Sequence, residues 1–406
     1  MRIVYLHQYF LTPSMLGDGS AGTRSYEMGR RLACAGHNVE IVTSDTRMAR
    51  NAGKRGWLIT EESGMRVHWL SIRYSNKMSI RDRLVAFGKF ALGSSRYAAS
   101  LKADVVFASS TPLTIALPAL YCHWRQRVPM IFEVRDLWPE APIQMGALRN
   151  RLLIYLARRL ESTTYNAAAQ VIGLSPGICN GIRAAGVPEQ KISLIPNSCD
   201  LETFNPSVEG GDWRRRLRID GRHTLFLYFG AMGAANGLQE LIVAARSLHE
   251  SGDRSCIFAL IGDGRERHQL EAAAKGLANM RFLGPFPKRE MPTLVAAADV
   301  CLTLFRDIPI LHTCSPNKFF DAISAGKPVL TNMRGWIADL VIKHECGAVV
   351  NPGDSQALAR AALQLAKSRH ELIEMGRRAR ILAELEFSRE KTAFELLKVL
   401  ERCGSA

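Results

Sequence analysis

The residues best suited to chemistry lie in one short run, Ser315-Pro316-Asn317-Lys318-Phe319-Phe320-Asp321, followed by Ala325-Gly326-Lys327-Pro328. Serine is a favoured N-cap and proline suits the first helical position, so the run predicts a helix opening at Pro316 behind Ser315. Lys318 then falls in the first turn, where unpaired backbone N–H groups already attract anions. Asp321 follows three residues later, on the same face and about 5 Å further along the axis. A diphosphate held by Lys318 would leave its ribose hydroxyls near the Asp321 carboxylate, an arrangement suited to a nucleoside diphosphate. The plain alternative is a capped surface helix with a solvated Lys–Asp pair.

Two other groups carry polar side chains at suggestive places. Glu133, Arg135, Asp136 and Glu140 cluster beside Trp138 at the end of an apolar run. A surface ion-pair cluster would have the same composition. Earlier in the chain, the loop His7–Thr23 holds Gly17, Gly19 and Gly22 just before a helical pattern. Glycines there let backbone N–H groups approach an anion at the helix terminus. The loop is too long and its glycines are wrongly spaced for a dinucleotide fingerprint, which requires Gly-x-Gly-x-x-Gly directly after a strand. The lone histidines His7 and His123 are assigned no role.

Parallel sheets between helices would position such groups. Short β-branched runs alternate with amphipathic stretches throughout, the pattern of α/β architecture. Strands are expected near 2–7, 39–43, 66–70, 104–108, 129–133, 170–173 and 192–195. In the second half they are expected near 225–229, 256–261, 280–283, 300–304, 328–330 and 348–350. A helix over 22–35 should end at Gly36. The polar stretch Pro196–Gly211 marks the change of domain, giving 1–198, 199–386 and a terminal helix over 387–406 that could pack back on the first domain. Ligands of such sheets gather at the carboxyl ends of the strands.

A chain of 406 residues is long for a single core and suggests two domains of about 200 residues. Hydrophobic residues form 47% and charged residues 22%, a globular balance. No apolar run approaches bilayer length, and nothing near Met1 resembles a signal peptide. Nine scattered cysteines without a Cys-x-x-Cys pair argue against a disulfide framework or zinc site and favour a reducing cytoplasm. The net charge of +15 is uneven: residues 1–198 hold 25 Lys/Arg against 13 Asp/Glu. A basic half of this kind suits nucleic acid or an anionic membrane surface.

With these segments in view, the chain resembles the retaining family 4 glycosyltransferases, and among them bacterial enzymes that build O-antigen and capsule repeat units. The resemblance spans nearly the whole chain, from the glycine loop through Phe132–Glu140, Ile195–Asp200, Phe229–Gly233 and Ile261–Gly264 to Ser315–Pro328. Arg135-Asp136-Leu137-Trp138-Pro139 together with Pro316-Asn317-Lys318 is similar to the subgroup containing N-acetylfucosaminyltransferases, enzymes of N-acetylated deoxyhexosamines. The resemblance implies the GT-B fold, two Rossmann-like domains facing each other across a cleft, with acceptor on the first and a nucleotide-sugar, UDP-linked, on the second. Donor contacts would come from Gly19, Gly22, Gly230, Asn236, Gly262, Asn317, Lys318 and Asp321. Acceptor contacts would come from Glu133, Arg135 and Asp136, with Asp136 orienting a hydroxyl or sugar and Arg135 on a phosphate.

The chain departs from the wider family pattern at three places. Of the usual two glutamates separated by seven residues, only the second has a carboxylate counterpart, because the positions are Thr313 and Asp321. The usual Arg and Lys after the first strand of the second domain fall at Ala231 and Asn236. Gly230–Gly233 and Asn236 would have to supply the missing donor contacts.

Glycosyl transfer builds charge on the departing diphosphate. No Asp-x-Asp occurs, so Lys318, helix termini and glycine-loop amides are expected to meet that charge without metal or cofactor. Lys318 and Asp136 are the expected catalytic pair, and the resemblance implies a front-face reaction where the leaving phosphate takes the acceptor proton. The implied acceptor is a polyprenyl-diphosphate-linked saccharide. Accordingly, the basic first domain is expected to rest on the inner face of the plasma membrane, through Ile80–Lys102 and Arg149–Arg159. The expected apolar positions are Ile80, Leu84, Phe87 and Ala91 in one stretch and Leu152, Leu153 and Leu156 in the other. A nucleic-acid-binding protein would instead interleave basic residues with exposed aromatics, which this sequence does not do. A nucleotide-sugar epimerase of the same fold would need no acceptor.

Overall fold

Ile3-Val4-Tyr5-Leu6 is wholly buried, as a strand must be when helices cover both faces of its sheet. The computed structural model describes residues 1–16, 23–46, 56–74 and 78–404, with Ile80 by its backbone alone. The chain divides into two compact units, which change over between Pro196 and Asn197 and again between Ser388 and Arg389. Both points lie two residues from the expected ones.

The first unit contains β1 (Arg2–Leu6), β2 (Asn38–Asp45), β3 (Trp57–Glu62), β4 (Met65–Ser71), β5 (Val105–Ser109), β6 (Met130–Val134), β7 (Gln170–Gly173) and β8 (Ile192–Leu194). Their order is β3-β4-β2-β1-β5-β6-β7-β8. All neighbours are parallel except β3, which runs antiparallel to β4. This edge strand is the one the apolar pattern does not announce. Its sequence, Trp-Leu-Ile-Thr-Glu-Glu, is only half-buried, and it is fixed by the two-residue turn Ser63-Gly64. Both turn residues have positive φ, the hairpin geometry that matches strand twist.

In the second unit β9 (Thr224–Phe229), β10 (Cys256–Ile261), β11 (Met280–Gly284), β12 (Val300–Thr303), β13 (Val329–Thr331) and β14 (Gly347–Val349) form a parallel sheet. The order is β11-β10-β9-β12-β13-β14. Each unit therefore reverses direction beside its first strand, between β1 and β5 and between β9 and β12. Loops leaving those strand pairs run to opposite sides and leave a crevice at the carboxyl edge.

The last helix, Arg389–Gly404, belongs to the first unit, where Ala393, Leu396, Val399 and Leu400 join the core around Tyr5, Phe10 and Phe107. Leu397 also packs against that core. Phe394 is exposed, with Lys398 Nζ 4.2 Å from its ring centre. Phe387, just before the helix, stays with the second unit against Phe320 and Trp336.

Candidate functional site

At the crevice of the second unit, β9 ends on Tyr228 and Phe229 and gives way to Gly230. On the neighbouring strand β10 gives way to Gly262. Gly230 and Gly262 have φ of +136° and +139°, a region L side chains avoid. A side chain on Gly262 would run into the Gly230 carbonyl oxygen. The two turns thus lie backbone against backbone, and Gly230 N donates to Ile261 O at 3.0 Å.

Lys318 reaches this point from the helix Asn317–Ser324. Its Nζ donates to Tyr228 Oη at 2.9 Å and to Asn236 Oδ1 at 3.0 Å. It lies 4.1 Å from the centre of the Tyr228 ring and 5.4 Å from that of Phe305. Tyr228 Oη in turn donates to Ala231 O at 2.6 Å. Among the described residues Lys318 makes no ion pair. Burial, with no carboxylate to oppose it, pushes its ammonium down to about 7. A Cβ on Gly230 would lie 3.5 Å from Lys318 Cε and Nζ, so this amine stands directly beside the bare backbone of the turn.

Asn236 therefore does something its type alone does not reveal. It occupies the place where the family pattern has a lysine, and its carbonyl holds a lysine delivered from another helix. Tyr228 and Phe305 escape sequence reasoning because both read as ordinary strand-end core. The helix itself begins one residue later than expected. Pro316 stands at its cap, and Ser315 does not cap it. Ser315 is occupied instead by Asn197, whose Nδ2 donates to Ser315 O at 2.6 Å and whose backbone N lies 3.4 Å from Ser315 Oγ. Asn317 is exposed at the first helical position, Asp321 is half-buried, and Thr313 Oγ1 donates back to Ile310 O. Gly19 and Gly22 lie outside the described residues.

The first unit gathers its polar groups at the equivalent crevice. Glu133, the fourth residue of β6, is fully buried between Ser109 at the end of β5 and Arg24 at the start of the helix Arg24–Cys34. Arg24 contributes Nε and Nη2 to one Glu133 oxygen at 3.0 and 2.9 Å and closes on the carbonyls of Ile195 and Pro196. Those guanidinium contacts, with the Arg135 charge nearby, outweigh burial and hold Glu133 below the usual carboxylate range. This corrects the expected acceptor contact: Glu133 is enclosed and satisfied, so it positions the crevice and does not present itself to a ligand.

Arg135 also differs from expectation. Its Nη1 lies 3.2 Å from His7 Nε2, and its backbone N donates to Ser110 Oγ. As guanidinium only donates, His7 accepts through Nε2 and donates Nδ1–H to Ser25 Oγ at 2.8 Å. Burial and the Arg135 charge keep this imidazole neutral. Asp136 and Trp138 do line open space, a cavity of about 590 Å³ shared with Leu11 and Thr111. Among the described residues no cluster of His, Cys, Asp and Glu could hold a metal ion.

Each unit is thus an α/β domain, with a lysine beside a glycine turn in one and an open cavity in the other, and likeness to known proteins makes the chain a glycosyltransferase of GT-B fold. Residues 19–198 match the glycosyl transferase 4-like domain and residues 223–368 match the glycosyl transferases group 1 domain. The chain belongs to the glycosyltransferase family that joins these two domains. It is 24% identical to WcaI of Escherichia coli (strain K12), named for a glycosyl transferase of colanic acid biosynthesis, over 78% of this chain and 79% of that one. It is 26% identical to the Escherichia coli UDP-Gal:alpha-D-GlcNAc-diphosphoundecaprenol alpha-1,3-galactosyltransferase, over 38% and 40% of the two chains. The fold matches that of Anabaena HepE, solved in complex with UDP-glucose, with a TM-score of 0.70, 17% identity and 99% and 100% coverage.

The back-to-back turns make a sharp test of the second-unit site. Gly262→Ala should destabilise that unit by about 2–4 kcal/mol, combining backbone strain with a collision against a carbonyl. Gly233→Ala, with open space around its Cβ and no positive φ, should stay within about 0.5 kcal/mol of the parent. Urea unfolding of both variants reads the difference, and equal midpoints would refute the packing argument.

Proposed function

We propose that this protein is a retaining glycosyltransferase that moves a sugar from a UDP-linked donor to a lipid-diphosphate-linked saccharide during assembly of a bacterial surface polysaccharide such as O-antigen or capsule. The observation that carries the proposal is the amine of Lys318, with no carboxylate partner among the described residues, beside the Gly230 backbone at the reversal point of a parallel sheet. A site with cationic and N–H donors and no acidic partner suits a diphosphate. The likeness to a structure holding UDP-glucose supports a UDP donor, and the relatives named for diphosphoundecaprenol and colanic acid support the acceptor and the pathway class. An N-acetylated deoxyhexosamine is the donor sugar that the resemblance of the Arg135–Pro139 and Pro316–Lys318 segments to N-acetylfucosaminyltransferases implies.

In this mechanism the bond between the anomeric carbon and the diphosphate breaks while charge grows on the leaving oxygen. Lys318 and the amides of Gly230–Gly233 meet that charge, so no metal is needed. An acceptor hydroxyl oriented by Asp136 bonds to the same face of the sugar, and its proton leaves with the diphosphate. Asp321, and Asn317 at the exposed helix start, hold the nucleoside side of the donor. Purified protein with a panel of UDP-sugars and polyprenyl-diphosphate saccharides should give a product, read by mass spectrometry, that retains the donor's anomeric configuration. EDTA should not diminish it, and Lys318→Ala should slow it roughly a hundredfold or more. Donor conversion without acceptor, loss in EDTA with rescue by magnesium, or full turnover by Lys318→Ala would each overturn the corresponding part.

The depressed Lys318 also sets a pH dependence. A bound diphosphate favours the ammonium and raises its pKa, so binding above about pH 7 must take up a proton. UDP-glucose affinity should be flat below that value and fall as pH rises beyond it, by up to about tenfold per pH unit until the bound-state pKa is reached. Lys318→Arg should flatten the profile. A wild-type affinity unchanged between pH 6.5 and 8.5, measured by calorimetry, would contradict this linkage.

Docking on an anionic membrane is part of the same proposal. Leu152, Leu153, Tyr155 and Leu156 are exposed on the helix Arg151–Ala167 among exposed Arg149, Arg151, Arg158 and Arg159. This helix and Ile80–Ala98 both pack against Ala116–Gln126, which adds Trp124, 73% exposed, beside Arg125 and Arg127. On Ile80–Ala98 the expected apolar stripe is corrected: Phe87 and Ala91 are core residues, and Leu84, Val85 and Leu92 are the exposed ones. Interfacial helices combine such apolar and cationic residues. No helix among the described residues is long and apolar enough to cross a membrane. Co-sedimentation should require anionic vesicles, weaken with salt and fall several-fold when Lys89, Arg151 and Arg159 become Glu. Equal partitioning to neutral and anionic vesicles would refute electrostatic docking.

A further inference from the structure

The cavity beside Asp136 contains a cation from the basic stretch Ile80–Lys102, which the sequence alone places at the membrane. Arg83, on the helix Ile80–Ala98, lines it together with Tyr9, Tyr74, Phe87 and Trp138. Its guanidinium carbon lies 5.8 Å from the centre of the Tyr74 ring. The Tyr74 ring centre is 4.7 Å from that of Tyr9 and 5.7 Å from that of Phe87. Three rings thus form a continuous apolar wall with one guanidinium against it. Among the described residues Arg83 makes no ion pair, and its buried Nε has no hydrogen-bond partner.

We propose that this cavity binds the acceptor by its sugar and first phosphate together, the sugar on the Tyr9–Tyr74–Phe87 wall and the phosphate on Arg83. The inference rests on the reading of the protein as a transferase to lipid-diphosphate saccharides, and it supplies that reading with a phosphate site. A guanidinium offers only donors, in a planar fork that matches two oxygens of a phosphate. An enclosed Nε without an acceptor is a deficit that an incoming anion removes. Aromatic faces suit the C–H face of a sugar ring, and Asp136 accepts from its hydroxyls. The volume, about 590 Å³, falls within the usual range for small-molecule sites. Arg135, whose Nη1 lies against His7, is not among the residues that line this cavity. The helix that turns Arg83 and Phe87 toward the cavity exposes Leu84, Val85 and Leu92 elsewhere on its circumference.

Calorimetry on the full chain, with the nucleotide site saturated by UDP, tests the proposal with four probes. These are N-acetylglucosaminyl-diphospho-citronellol, octyl N-acetylglucosaminide, octyl glucuronide and inorganic diphosphate. The glycosyl diphosphate should bind at least tenfold more tightly than each of the others. Arg83→Gln should reduce it to the level of the neutral glycoside and leave the neutral glycoside unchanged, and Arg83→Lys should fall between. Equal binding of the glycosyl diphosphate to wild type and Arg83→Gln would overturn the phosphate assignment. So would a preference for the glucuronide, which would make this a carboxylate site. Inorganic diphosphate binding as tightly as the glycosyl diphosphate would overturn the sugar wall. UDP-glucose binding by the same samples separates the two levels. If wild type binds no nucleotide sugar, the transferase reading fails, while phosphate selectivity, remeasured without UDP, still decides the cavity. If Arg83→Gln keeps UDP-glucose binding, its loss of the glycosyl diphosphate is local; if it does not fold, Arg83→Lys decides.

Discussion

The reversal of strand order beside the first strand of each sheet is the constraint from which both candidate sites follow. In a parallel sheet every strand delivers its chain to the same edge, and neighbouring connections usually cover that edge. Where successive crossovers depart to opposite sides, nothing covers it. His7, Ser110 and Arg135 follow β1, β5 and β6 at one such point, and Gly230 and Phe305 follow β9 and β12 at the other. The chemistry at the two edges differs because their supports differ. In the first unit the edge is stiffened by a buried ion pair, Arg24 with Glu133. In the second it is stiffened by turns so close that Gly262 has no room for a side chain.

Placing Lys318 in the second crevice works against stability. An unfolded lysine keeps its ordinary high pKa, whereas burial lowers the folded one to about 7. Between those values the unfolded chain binds more protons, so the ligand-free unit is penalised most at low pH and gains stability as pH rises through that window. A carboxylate neighbour would remove the penalty, but it would also compete with any anion for the amine. Tyr228, Phe305 and Asn236 stabilise the ammonium by ring faces and a carbonyl dipole, contacts that leave its net charge uncancelled. Asn236 thereby becomes intelligible: once the cation arrives from the helix Asn317–Ser324, a second lysine there would repel it, and a neutral acceptor suits it better.

Much of the architecture is legible in the sequence because parallel strands buried on both faces read as continuous apolar runs. Phe226-Leu227-Tyr228-Phe229 and Cys256–Ile261 leave little choice of structure. Edge strand β3 is different, because a half-exposed antiparallel strand ending in Glu61-Glu62 carries no such run and exists through its turn. Local sequence places Lys318 early in a helix and Asp136 just past a strand, which is where the structure has them. It misjudged Ser315, Glu133 and Phe87, because each is decided by a partner far away in the chain: Asn197, Arg24 and the core beneath the helix. Arg83 was invisible for the same reason. In sequence it is one of many arginines in a basic half, and only the ring of Tyr74 and the absence of a described acidic partner set it apart.

Arg83 and Lys318 share one physical logic despite lying in different units. Each is a cation against aromatic faces, and neither is paired with a carboxylate among the described residues. Some surface cations on the same chain are treated otherwise: Arg2, Arg183 and Arg222 sit in close ion pairs with Asp104, Glu189 and Asp220. Such pairs contribute little to stability but do neutralise the charges involved. Aromatic rings stabilise a cation through their quadrupole without supplying a counter-ion, so the charge stays available to an entering phosphate. On the proposed reading, in which donor and acceptor both carry a diphosphate, each would meet an uncancelled cation of this kind, Lys318 in one unit and Arg83 in the other.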